Sequence, residues 1–189
     1  WAEPPFSPRT LDSVLLTHAH IDHTGYLPVL TKKGFHRRVY CTRATRALSE
    51  VMLADAAHLQ VEEANFANKH RFSRHQPALP LYTVEDAHEA VRLMRPVDFE
   101  HHVEVAKGFT ACWRPNGHML GSAMIEVAHE GTTVVFSGDV GRPNDPLMHP
   151  PVAIESADYL VLESTYGDRL HPAGDPMVEL RTVIDRTVK

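Results

Sequence analysis

Short apolar runs bounded by polar residues alternate along this chain with longer stretches of helical spacing. Residues 13–17 (SVLLT) and 38–41 (RVYC) are too short for helices and are flanked by polar punctuation, so both are predicted as buried strands. Between them, the stretch from Gly25 to Gly34 holds one short helix opening near Tyr26, with Pro28 in its first turn and Gly34 ending it. Residues 43–69 contain neither Pro nor Gly, and Ala44, Ala47, Leu48, Val51, Met52, Asp55 and Leu59 recur three or four apart. That spacing predicts a long helix with one mostly apolar face. Thr83 followed by Asp86 is a capping-box pattern, and the helix it opens, through Ala87, Ala90, Val91 and Met94, must end before Pro96. The loop at 71–82 joining the two helices carries Leu79, Leu81 and Tyr82, which should pack it onto the domain.

After Pro96 the period changes to two. Strands are predicted at 97–105, 109–113, 123–128 and 132–136, the last two closed into a hairpin by Glu130-Gly131, with a further buried strand at 159–162. Asp175-Pro176 opens a last helix carrying Met177, Leu180, Val183 and Ile184. The order β, α, α, a run of β, then βα describes an α/β domain without internal repeats.

With 189 residues and 43% hydrophobic positions, the chain has enough apolar side chains for one core. No apolar stretch approaches the ~20 residues a bilayer requires, and residues 1–9 lack the charged-then-apolar order of a signal peptide. Cys41 and Cys112, without a CxxC, exclude a disulfide framework and point to a reducing cytoplasm. A net charge of −5 gives no bulk attraction for nucleic acid, so any polyanion site must be local. The fourteen histidines are the excess that changes the picture, because imidazoles ligate metals near neutral pH.

Directly after the first strand, His18, His20, Asp22 and His23 place four candidate ligands within six residues, and Gly25 tightens the turn behind them. Histidines at i and i+2 of a strand end project to one side. Nitrogen donors with a carboxylate suit zinc, and less specifically manganese or iron. Four residues cannot close two metal sites, so further ligands are expected at other strand ends. His118, between glycines in NGHMLGS (116–122), and Asp139, in FSGDVG (136–141), are the candidates.

In order, HAHIDHTG, GHMLGSA, FSGDVGR and LESTYGDR resemble the metallo-β-lactamase superfamily and, within it, the β-CASP nuclease branch. The forms are most similar to the endonuclease subunit of the cleavage and polyadenylation specificity factor and its prokaryotic relatives. The resemblance implies an αβ/βα four-layer sandwich, incomplete at its N-terminus and lacking the β-CASP domain. Residues 1–189 would then be a partial metallo-β-lactamase domain of a longer protein, with the β-CASP domain and C-terminal motifs beyond residue 189. By the same resemblance, His18, His20 and His118 hold one zinc, Asp22 and His23 hold the second, and Asp139 bridges them, with manganese as the alternative metal. The implied reaction is hydrolysis of RNA phosphodiesters, as in 3′-end processing or decay, by a hydroxide between two ions. Catalytic roles fall to Asp22, Asp139 and Glu163, the last matching a carboxylate that pairs with a downstream histidine to protonate the leaving oxygen. An aspartate before Trp1 and a final histidine would lie outside the chain, leaving most of one metal site and part of the other.

The implied partner is single-stranded RNA, with no membrane and with a homodimer as the assembly. Alternatives from the same superfamily are a DNA exonuclease and a thioester hydrolase of the glyoxalase II kind. An inactive RNA-processing scaffold is disfavoured because every ligand position within the chain is filled. Of the other histidines, His101 and His102 are expected in solvent, and only His149 and His171, beside prolines, are candidate site neighbours. The basic groups Lys32, Lys33, Arg37, Arg38 and Lys69, Arg71, Arg74 fit a solvated face better than an RNA path.

Overall fold

Strands β1 (Ser13–Leu15), β2 (Arg38–Thr42) and β3 (Met94–Val97) pair in parallel, in that order, in the computed structural model, which describes residues 4–170 and 174–188. Their alternation sorts the side chains: Val14, Leu16, Val39, Cys41 and Met94 face a layer of helices, while Leu15, Tyr40 and Val97 face the opposite way. The helices are α1 (Ile21–Thr24), α2 (Leu27–Lys32), α3 (Arg43–His70) and α4 (Val84–Arg92). Leu27, Val29, Leu53, Ala57, Ala87, Ala90 and Val91 bury into that first core with Phe35 and Tyr82. The capping box of α4 forms as expected: Thr83 Oγ1 accepts from Asp86 N, and the Asp86 carboxylate accepts from Thr83 N at 2.9 Å.

α3 has its expected length but a different buried face. Thr45, Ser49, Leu53, Ala57, Ala64 and Ala67 turn inward, whereas Val51 and Leu59 are exposed. Small residues win the inner face because they let the helix approach its neighbours closely. The polar cost is met at least for Thr45, whose Oγ1 lies 3.0 Å from Gly121 O, beside the N-cap Thr42 Oγ1 at 2.7 Å. In the following loop Tyr82 is buried as expected, but Leu79 is not. There Asn68 does the fastening, its amide donating to Ala78 O and accepting from Ala78 N.

The single strand predicted at 97–105 is two strands in two sheets. Met94, expected in α4, instead begins β3, an edge strand of the kind that tolerates a proline such as Pro96. The chain then turns through Glu100, at φ 62°, into β4 (His102–Ala106). No glycine or proline marks this turn, so the apolar alternation runs straight across it in sequence.

β4, β5 (Phe109–Pro115), β6 (Ala123–His129) and β7 (Thr132–Phe136) form an antiparallel run, and β8 (Tyr159–Val161) adds in parallel to β7. Glu130 and Gly131, at φ 47° and 80°, close the β6–β7 hairpin as expected. The two sheets pack face to face, Tyr40 and Val97 meeting Val105, Ala111, Trp113, Ala123 and Ile125. Trp113 Nε1 donates across the interface to Leu16 O at 3.1 Å, anchoring the segment that leads out of β1.

Helices, first sheet and second sheet are thus three layers of the expected sandwich. The strand predicted as buried at 159–162 is exposed throughout, Tyr159 to 65%. The described side chains of α5 (Pro176–Thr187) are exposed as well. Nothing among the described residues covers β8, which is why its apolar composition misleads. No helix among the described residues is long and apolar enough to cross a membrane.

Candidate metal centre

The candidate ligands leave the C-terminal ends of three strands. After β1, Leu16 N still donates to Tyr40 O, and the chain then departs through Thr17 to His20, which caps α1. Thr24 stitches this turn, its hydroxyl donating to Ala19 O and His20 O. His18 and His20 therefore sit at the strand end, with Asp22 and His23 in the first helical turn. His118 follows β5, and Asp139 follows β7.

These loops converge. One nitrogen or oxygen from each of His18, His20, His118 and Asp139 lies within 4.8 Å of all the others. His118 Nε2 is 3.1 Å from His20 Nδ1. Asp139 Oδ2 lies 3.7 Å from His18 Nε2 and 3.6 Å from His118 Nε2, while Oδ1 lies 3.2 Å from His23 Nε2. Asp22 joins at the edge, 3.6 Å from His23 and 77% exposed.

His18 tests whether a metal fits. Its ring is fully buried, and Nε2 has no hydrogen-bond partner among the described residues, an arrangement that costs free energy unless something binds that nitrogen. Burial, reinforced by His23 and opposed by Asp139, pushes its pKa down to about 4, so the ring is neutral at ordinary pH. Thr17 Oγ1 stands 3.1 Å from Nδ1, and a proton held there leaves the Nε2 lone pair facing the cluster. Three imidazoles and a carboxylate around such an orphaned nitrogen suit a transition metal ion.

All six candidate ligands therefore share one region, four in mutual reach, His23 through Asp139 Oδ1, and Asp22 through His23. Glu163 is not among these ligands but lines a cavity together with His118 and Asp139. Its Oε1 accepts from Val140 N at 2.5 Å, and its own N–H donates to Ser137 Oγ at 3.1 Å, so it braces the Asp139 loop. A cavity of about 300 Å³, lined among others by His118, Asp139, Glu163, Arg142 and Tyr166, opens beside the cluster. His149 is exposed, although its backbone carbonyl packs on Gly117, and His101 and His102 are exposed as expected. His171 lies outside the described residues. Of the basic residues, Lys32 is paired with Asp86 at 3.4 Å, in keeping with a solvated face. Sequence reasoning missed Thr17 and Asn116, both in contact with the ligand loops. Their only signal was adjacency to His18 and His118, which does not separate a supporting residue from a linker.

The sequence pattern described as the metallo-beta-lactamase superfamily matches residues 4–177. A ribonuclease of Thermus thermophilus is 34% identical over 184 residues, which cover 97% of this chain and 38% of the relative. A transcription termination factor of Methanocaldococcus jannaschii is 30% identical over 191 residues, covering 97% of this chain and 28% of that protein. The endoribonuclease ysh1 of Schizosaccharomyces pombe is 30% identical over 187 residues, covering 97% and 23%. The chain thus spans less than two-fifths of the length of each of these relatives.

Proposed function

Because the chain belongs to the metallo-beta-lactamase superfamily, we propose that it is the metal-binding part of a β-CASP ribonuclease hydrolysing single-stranded RNA phosphodiesters. The relatives named as ribonuclease and endoribonuclease support the reaction class. The observation that carries the reading is the placement of Asp139, with one carboxylate oxygen toward His18 and His118 and the other toward His23.

In this reading His18, His20 and His118 would hold one zinc, Asp22 and His23 would contribute to a second, and Asp139 would serve both. Three imidazole donors favour zinc over harder ions. Bound there, the metal supplies Lewis acidity toward a phosphoryl oxygen and makes water a nucleophile at neutral pH. The protein's own part is positional. Buried His18 stays neutral and keeps its lone pair inward, Thr17 pairs with the other ring nitrogen, Nδ1, and Asp139 supplies the negative charge. Glu163 holds the Val140 N–H and so fixes the direction of the Asp139 loop. The neighbouring cavity, with Arg142 and Tyr166 in its wall, offers a guanidinium for phosphate and an aromatic face for a base. The buried free thiols Cys41 and Cys112 support a cytoplasmic location.

The test uses the complete protein that contains this chain, with a labelled single-stranded RNA and the matching DNA. Metal-dependent cleavage leaving 5′-phosphate and 3′-hydroxyl ends on RNA, lost in His20→Ala, is expected. Undiminished cleavage by His20→Ala, or products ending in 2′,3′-cyclic phosphate, would overturn the reading, because the latter requires attack by the 2′-hydroxyl rather than by water.

A further inference from the structure

We propose that Asn116 is the positioning residue that sets the separation of His118 from Asp139, and thereby the affinity and geometry of the metal centre. The inference rests on reading the cluster as a metal centre. Asn116 touches none of the candidate ligand atoms. It lies one residue beyond β5, fully buried, between the two loops that carry His118 and Asp139.

Its polar groups divide between those loops. The side-chain nitrogen donates to Ser137 O at 3.0 Å and to Asp139 O at 2.8 Å, using both of its hydrogens. On the other side, Oδ1 accepts from His118 N at 3.3 Å. The backbone carbonyl accepts from Gly141 N at 2.8 Å, and the backbone N–H donates to Ser122 O at 3.4 Å. One planar amide thus joins the residue carrying one ligand to the residue carrying the other. The loops are also in backbone contact, since a Cβ on Gly141 would stand 2.0 Å from Gly117 O. With so little slack, the reach of the amide decides where the His118 ring and the Asp139 carboxylate meet.

No smaller or charged side chain reproduces this. Aspartate has the shape and the acceptor but no hydrogens for the two carbonyls, and alanine leaves two carbonyls and an N–H without these partners in buried to half-buried positions. The strands themselves do not depend on it: β5, β6 and β7 are joined by their own ladders, with Trp113 opposite Ile125 and Ile125 opposite Phe136. The effect should therefore fall on ligand placement. Residues that orient ligands without touching the metal commonly change affinity by about 10- to 100-fold.

The test is a cobalt(II) titration of the metal-free 189-residue chain, followed by the visible d–d absorption, for the parent, Asn116→Asp and Asn116→Ala, with Leu53→Ala as a packing control. Both Asn116 variants should keep the far-UV circular dichroism of the metal-free parent, bind cobalt about 10- to 100-fold more weakly, and shift the absorption bands. Leu53→Ala should melt earlier yet bind cobalt with the parent's affinity and spectrum. Parent-like cobalt binding and spectrum in Asn116→Asp would overturn the proposal. So would loss of the metal-free fold in both Asn116 variants, which would make the residue a general structural one. If the parent takes up no cobalt, the metal-centre reading itself fails, and this inference with it.

Discussion

Asp139 Oδ1 lies 3.2 Å from His23 Nε2, while the other oxygen of the same carboxylate faces His18 and His118. A single residue therefore links the two halves of the cluster, one from the strand end and one from the helical turn. Asp139→Ala, like His20→Ala, should reduce RNA cleavage by the complete protein by orders of magnitude while leaving the metal-free fold intact. Near-normal cleavage rates in either variant would refute the assignment.

Glu163 separates bracing from proton transfer. Glu163→Gln retains an oxygen to accept the Val140 N–H, so the 189-residue chain should bind zinc within a few-fold of the parent, whereas Glu163→Ala should bind it more weakly. In the complete protein, Glu163→Gln should still lose cleavage if the carboxylate's charge serves the leaving group. Isothermal titration gives the first comparison and single-turnover cleavage the second. Equal zinc affinity in Glu163→Ala and the parent would remove the bracing role.

Two glycines should respond very differently in size. Gly141→Ala places a methyl group 2.0 Å from Gly117 O, a backbone collision that should cost several kcal/mol, or about the upper range for single substitutions, and disrupt metal uptake. Gly131 faces open space at φ 80°, where asparagine is tolerated, so Gly131→Asn should cost about 1 kcal/mol or less. Thermal melts of the two variants check this, and equal melting temperatures would contradict the packing described.

The buried thiol of Cys41 is pushed by burial up to about 12 from its ordinary 9.0, against a smaller opposing effect of Arg46. Since the unfolded chain loses this proton first as pH rises above 9.0, stability should decline through that alkaline range. At pH 8 neither cysteine should react with a thiol reagent until denaturant is added, after which both should. Rapid modification of the native chain would contradict their burial.

The ligands are legible in sequence because the chemistry crowds them: His18, His20, Asp22 and His23 have no packing reason to be adjacent, and His118 and Asp139 stand between glycines at strand ends. The fold is legible where punctuation is present, as at the Thr83 cap and the Glu130-Gly131 turn. It fails where shape rather than hydrophobicity decides. The inner face of α3 is built from Thr45, Ser49 and alanines, and the turn at Glu100 has no glycine to announce it. β8 looks buried because its residues are apolar, yet apolar composition does not supply a covering layer. Glu163 is visible in sequence as a carboxylate, but its bond to Val140 N depends on two strand ends lying side by side.

The most direct test of the central claim is the metal content of the purified 189-residue chain after incubation with zinc, manganese or iron and removal of excess, set beside Asp139→Ala. At least one equivalent of zinc per parent chain, lost in the variant, is the predicted result. A folded parent that retains no more metal than Asp139→Ala would contradict the account.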